Sequence, residues 1–393
     1  MEVRVRNGQV TGFVLLLTLL VAAVGAACGS QQASSRAEGK IALLDDSGSL
    51  AIVDADGSSK AVIVPTNDAV PVWAPDGSHI AFDDAYELAT VKADGSGYAP
   101  LLSEGGSSAL WTWSGDSDKI AYVGADPHYS WYYHAAIFVV PAAGGKPRML
   151  VDGDSPSWSP DGRTIAFIRG PFIRLINADG TRERRLATDS LTIKDEAYLD
   201  LLWSSDSQKI AYTTSFSKDG KEFCRLHIAH PDGRPEVQVI GGGLPGKEFD
   251  TQCDIAWSPE GTRTAFTRNG FIYSVNADGT HEHRLARGLE QSWSPDGKHI
   301  AYLRKGSIYA LDMQSHVEHR LVRGDEFSWW PDGVWSPDGA FLVVQRVIKQ
   351  RVNGRNGKYV VETMRPDGSD RRVIWPQGGG TCDCGDTPAW QPR

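Results

Sequence analysis

The stretch SWSPDGRTIAF, residues 157–167, returns along the chain with small changes. It reads VWAPDGSHIAF at 72–82, TWSGDSDKIAY at 112–122 and LWSSDSQKIAY at 202–212. Further on come AWSPEGTRTAF at 256–266, SWSPDGKHIAY at 292–302, VWSPDGAFLVV at 334–344 and a last AWQPR at 389–393. The anchors are Trp73, Trp113, Trp158, Trp203, Trp257, Trp293, Trp335 and Trp390, spaced 36 to 55 residues apart. That interval is the period of a propeller blade. A second signature falls between the anchors: IVDADG (52–57), TVKADG (90–95), LINADG (175–180), IAHPDG (228–233), SVNADG (274–279) and TMRPDG (363–368), with PAAGG (141–145) and DMQSH (312–316) in the same slot. Asp in such turns bonds nearby backbone N–H groups and Gly accepts positive φ. Each unit therefore reads as four short antiparallel strands joined by tight turns, and no long amphipathic pattern interrupts them.

The fold expected is all-β, a single β-propeller over residues 40–393. The first unit, KIALLDDSGSLAIVDADGSSKAVIV (40–64), has the last three strands of a blade but no Trp strand. The last has only the Trp strand, PAWQP (388–392). Joined, they make one blade; with seven internal ones the count is eight, seven being the alternative. Closing the ring by mixing the termini leaves no open edge at the seam. The Trp anchors are expected to be wedges between blades, each burying about 150–250 Å².

The repeated W-S-P-D-G turn followed by I-A-F resembles the TolB-type β-propeller repeat over about residues 40–393. TolB itself carries six blades and a further N-terminal domain, so the resemblance implies the fold and not that protein's role. Residues 1–27 read as a signal peptide: Arg4 and Arg6, then the apolar FVLLLTLLVAAV (13–24), then small residues. Their junction with Cys28 resembles a bacterial lipobox, which implies a lipidated Cys28 as the mature N-terminus. The polar segment 28–39 is then a tether. Export permits disulfides among Cys224, Cys253, Cys382 and Cys384; three pairings are open, and Cys224–Cys253 with Cys382–Cys384 is the local one. The chain is expected on the extracytoplasmic side of a membrane, in the cell envelope or periplasm, as a monomer.

Antiparallel alternation puts the first and third connections of every blade on one face and the second connection and the inter-blade link on the other. The first set is short and uniform. The second carries nearly all the length variation, where binding sites are usually built. GADPHYSWYYHA (124–135) presents His128, Tyr129, Trp131, Tyr132, Tyr133 and His134, either for protein or sugar contact or to fold onto the next blade. RGDEFSWWPDG (323–333) brings Trp329 and Trp330; QRVIKQRVNGRNGKY (345–359) is basic. Arg169, Arg268 and Arg304 hold one equivalent position, three residues after the Ala of the I-A-F motif. They are expected together on the variable face, either as a partial ring for a carboxylate or phosphate or neutralised by acids such as Asp195, Glu196 or Asp250.

The net charge of −9 and the lack of a basic block argue against nucleic acid as partner. No G-x-S-x-G elbow and no P-loop Lys occur. His281, His283, His316 and His319 fall where other blades carry RERR or SDRR, so they read as strand positions, not metal ligands. No metal and no cofactor are expected. The function expected is non-catalytic binding of an envelope protein or glycan by the variable face, with the membrane reached through the N-terminal lipid. The alternative, implied by the lyases among TolB-like propellers, is a carbohydrate-active enzyme using the channel mouth.

Overall fold

The computed structural model describes residues 37–45, 47–66, 70–84, 87–102, 110–125, 135–186, 201–218, 221–234, 237–239, 254–323, 335–348, 358–376 and 388–392. It is an all-β propeller of eight antiparallel blades, with no helix among the described residues. Blade 1 joins Ala389–Trp390 to Lys40–Leu44, Leu50–Asp54 and Lys60–Val64, so the strand that ends the chain is its first strand. Blade 2 runs Val72–Trp73, His79–Asp84, Glu87–Lys92, Ala99–Pro100, and blade 3 runs Trp111–Trp113, Lys119–Ala125, Ala135–Pro141, Arg148–Asp152. Blade 4 is Asp154–Trp158, Thr164–Arg169, Phe172–Asn177, Arg184–Arg185; blade 5 is Leu201–Trp203, Ile210–Lys218, Lys221–Ala229, Val237–Val239. Blade 6 is Ile255–Trp257, Arg263–Arg268, Phe271–Asn276, His283–Arg287; blade 7 is Leu289–Trp293, His299–Arg304, Ser307–Asp312, Glu318–Val322. In blade 8 the first strand shrinks to a bridge, Trp335 to Leu342, beside Leu342–Ile348, Lys358–Met364 and Arg372–Pro376.

The Trp anchors do more than fill space. The Trp257 indole N–H donates to the Leu202 carbonyl at 3.0 Å, Trp203 to Ser157 at 3.0 Å and Trp73 to Ala389 at 2.9 Å. Trp113 reaches Val72 and Trp335 reaches Ser292, both at 3.3 Å. In every case the acceptor is the residue just before the preceding blade's Trp, so each anchor is tied to the first strand of the blade before it. Trp158 and Trp293 are buried, and their indole N–H groups have no partner. They belong to the two blades entered through one residue, Gly153 and Gly288. There the first strand is bulged, with Ser155 and Glu290 at positive φ. A bulge re-aims the side chains around it. The entry is too tight for a side chain: a Cβ on Gly153 would lie 2.6 Å from the Phe167 ring, and one on Gly288 would clash with the Tyr302 ring.

The S-P-D-G turn is a closed hydrogen-bond unit. In blade 4 the Ser159 hydroxyl donates to Asp161 at 2.6 Å and accepts the Thr164 N–H at 3.0 Å, while Asp161 accepts the Arg163 N–H at 3.0 Å. Blades 3, 7 and 8 repeat it with Ser114–Asp116, Ser294–Asp296 and Ser336–Asp338. Neighbouring turns also bond each other. The Asp76 N–H donates to Ser117, the Asp161 N–H to Ser207, and Ser205 to the Pro259 carbonyl. At these junctions the face is stitched turn to turn.

The seam falls inside that turn. Trp390, Gln391 and Pro392 occupy the places of Trp73, Ala74 and Pro75, and Ala37, Glu38 and Gly39 those of Asp76, Gly77 and Ser78. The correspondence shows in the bonds: Gly39 accepts the Ala55 N–H at 2.9 Å, as Ser78 accepts that of Ala93 at 2.9 Å. The Gln391 N–H donates to Lys40 at 2.8 Å, and its side chain donates to Gly77 at 2.8 Å. Trp390 and Ala37 are buried in one cluster with Ile41, Val53, Phe341 and Val343. One motif is thus divided between the two ends of the chain. Removing residues 388–393 deletes the Trp wedge and the acceptor of Trp73, a loss on the order of 3–5 kcal/mol if the rest of the ring holds. The melting temperature of the truncated protein is expected to fall by several degrees or more; an unchanged value contradicts closure by this strand.

Candidate functional site

The first and third connections of each blade emerge on the stitched face. The second connections and the links between blades emerge on the opposite one. Gaps between consecutive strands on that opposite face range from the single residues Gly153 and Gly288 to the stretches 186–200 and 240–254. His128, Tyr129, Trp131, Tyr132, Tyr133 and His134, and Trp329 and Trp330, belong to these connections and lie outside the described residues. Cys28, Cys253, Cys382 and Cys384, together with Asp195, Glu196 and Asp250, also lie outside the described residues. Cys224 lies on the third strand of blade 5, its backbone in register with Ser215.

Arg169, Arg268 and Arg304 sit at the same place on the second strands of blades 4, 6 and 7, and each is held within its own blade. Arg304 pairs with Glu318 at 2.9 Å, Arg169 with Glu183 at 2.7 Å, and Arg268 with both oxygens of Glu282. The carboxylate comes from the start of the outer strand. Between the two strands stands an aromatic ring: Arg268 lies 3.9 Å over Tyr273, and Arg304 3.8 Å over Tyr309. That ring stacks in turn on the second-strand aromatic, Tyr273 on Phe266 and Tyr309 on Tyr302, both at 5.6 Å. Blade 4 replaces the third-strand ring with Arg174, which shares Glu183. Arg169 also donates to the Asp152 carbonyl of blade 3 at 2.8 Å, so it ties a junction as well.

Burial pulls the Arg268 and Arg304 guanidiniums down, and the bonds to Glu282, Glu318 and the neighbouring tyrosines more than offset it, leaving both raised. In blades 6 and 7 the group is thus a charge-neutral clasp rather than an open cation, while in blade 4 Arg169 and Arg174 share the single carboxylate of Glu183. In blade 8 the charges are exchanged: Glu362, buried on the third strand, pairs with Arg371 at 3.0 Å, and Arg371 stands where Glu183, Glu282 and Glu318 stand elsewhere. The counter-charges of the three arginines lie on their own blades and not in the long links that hold Asp195, Glu196 and Asp250. The signal in the sequence is spacing: each clasp glutamate follows its arginine by fourteen residues.

The inner wall differs between blades 5, 6 and 7. Trp203 and Trp257 are only half-buried, unlike Trp113, Trp158 and Trp293. With Leu202, Ile255, Ala256 and Gln291 they line a small cleft of about 50 Å³, open to solvent and free of charged side chains. Gln291 is fixed on both sides, donating to the Asp254 carbonyl at 2.9 Å and accepting from Thr267 at 2.8 Å. The Asp254 carboxylate accepts the Glu290 N–H at 3.0 Å, and burial pushes its pKa up. Thr264, fully buried, stands where blades 2, 3, 4, 5 and 7 carry Ile. Among the described residues no three His, Cys, Asp or Glu converge to hold a metal. His281 and His283 lie 6.5 Å apart, and His281 belongs to the third-connection turn, beside Asn276.

No family model matches the chain, and no curated protein matches it in sequence. Solved structures do. Dipeptidyl peptidase 4 of Porphyromonas gingivalis superposes with a TM-score of 0.54 at 14% identity, covering 78% of this chain and 52% of the peptidase. The chain thus spans about half the length of that enzyme. A eukaryotic initiation factor matches with a TM-score of 0.53 at 11% identity over 91% of this chain and 99% of its own. TolB of Acinetobacter baumannii gives 0.39 at 16% identity over 88% and 79%. At these identities the likeness of the first two establishes a shared fold and nothing about activity.

The clasps predict a measurable coupling. In a double-mutant cycle, Arg268→Ala and Glu282→Ala are each expected to destabilise the protein. Their coupling should be about 0.5–1 kcal/mol, since the pair is partly exposed and screened. A coupling indistinguishable from zero in thermal or denaturant melts contradicts the clasp as a working contact.

Proposed function

We propose that this protein is an exported, lipid-anchored and non-catalytic propeller, of the TolB-type repeat group, that binds an envelope protein or glycan through its variable face. The observation that carries the reading is the sorting of the connections. One face is bound turn to turn and can change little without opening the ring, while the other accommodates links from one residue to fifteen on the same scaffold. Variable connections on a rigid frame are the usual platform for recognition. The aromatic run from Tyr129 to His134 belongs to that face, and Tyr and Trp supply large contact area with a polar edge. The three aligned arginines are spent on Glu183, Glu282 and Glu318, which favours recognition by the longer connections over an anion-binding ring. A signal-like N-terminus ending at Cys28 supports anchoring on the extracytoplasmic side.

Affinity capture from envelope extracts tests this with three proteins: the parent, Trp131→Ala/Tyr132→Ala/Tyr133→Ala, and Lys298→Glu on the stitched face. A ligand held by the parent and the Lys298 variant, and lost by the triple variant, is the expected result. Equal capture by all three contradicts recognition through this face.

A further inference from the structure

The chain enters the ring at a definite place. Lys40 begins the second strand of blade 1, and second strands run from the stitched face to the variable one. Gly39 is bonded into the third-connection turn through the Ala55 N–H, and Ala37 is buried at the hub in the position of a turn Asp. Residue 37 therefore leaves the disc on the stitched face, near its axis.

From this we infer the orientation of the disc: the stitched face is turned toward the anchoring bilayer and the variable face away from it. The inference rests on lipidation of Cys28, as proposed above. Nine peptide units separate Cys28 from Ala37, and they span at most about 31 Å. Passing outside the disc, that segment would have to cross the rim to bring the variable face against the bilayer. The two strands outside the second take up about 10 Å, the side chains beyond them about 5 Å, and a six-residue strand is about 20 Å deep. The path of about 35 Å is longer than the tether before any lipid is reached. The reverse orientation needs none of it.

The stitched face is also rich in fixed carboxylates. Asp94, Asp179 and Asp278 are exposed there and held below the usual carboxylate range, chiefly by hydrogen bonds from Ser96, Thr181 and Thr280. Exposed Lys119, Arg163, Arg182 and Lys298 share that face, so it carries charge of both signs and the lipid is its contact with the membrane. What docks on the variable face then approaches from the side away from the anchoring bilayer, and that bilayer's own headgroups are not the ligand.

Two lysines of blade 7 mark the faces: Lys298 at the start of the second strand and Lys305 in the hairpin at its far end, both exposed. A fluorescent amino acid placed at either position of the full-length, lipidated protein reports proximity to vesicles carrying a headgroup acceptor. Transfer is expected to be several-fold stronger from position 298 than from 305. Inserting fifteen Gly/Ser residues between 29 and 36 is expected to shrink that difference. Equal or reversed transfer in the parent overturns the orientation. The anchor is read separately: Cys28→Ala should abolish flotation with vesicles, and retained flotation overturns lipidation and with it the inference.

Discussion

The bond from a Trp indole to the carbonyl just before the preceding blade's Trp is the contact on which the ring depends. A propeller blade has no reason in its own hydrogen bonding to adhere to its neighbour; its ladders are satisfied within the sheet. The indole supplies both parts of the missing contact. Its ring fills the wedge between two sheets, and its N–H spends its one donor on a carbonyl of the first strand of the blade before. The acceptor sits one residue before the preceding anchor, so at five junctions anchor is tied to anchor, while at blades 4 and 7 the Trp ring alone fills the wedge. The relay passes through the seam as well, where Trp73 takes Ala389 at the chain's far end.

The same region explains why the two faces have different fates. The S-P-D-G turn follows directly on the anchor, and its Ser and Asp close the backbone around themselves. The turns then bond their neighbours, as Ser205 does with Pro259 and Asp161 with Ser207. A residue inserted there disturbs a turn, an anchor and the adjoining blade together. On the opposite face the connections carry none of that burden. Blades 4 and 7 show how short a link can be, at the expense of a bulge, a forced glycine and an unbonded indole. The other links are free to lengthen, and the recognition elements follow from that freedom.

Much of this was legible in the residues. Eight Trp anchors at blade-like spacing gave the architecture, and the unmatched ends at 40–64 and 388–392 gave the closure, because a half-motif at each terminus has one geometric solution. The clasps were half legible. Arg169, Arg268 and Arg304 stand out in an alignment of the repeats, but their partners lie two strands outward. Only the register of Arg169 opposite Phe172 and Arg174 opposite Arg185 brings Glu183 within reach. A regular fourteen-residue spacing carries that information in the sequence, yet it means nothing until the hairpin geometry is known. The half-exposure of Trp203 and Trp257 was not legible: their motifs read like the others. Thr264 in place of Ile was visible, but its consequence depends on packing.

The division of labour between faces is the central claim, and paired insertions test it most directly. Four Gly/Ser residues are inserted into one blade at two places: after Asp338, in the stitched turn of blade 8, and within residues 349–357, in the connection on the opposite face. The predicted result is a large fall in melting temperature, or failure to fold, for the first and a change of no more than a degree or two for the second. Equal losses at both sites contradict the account.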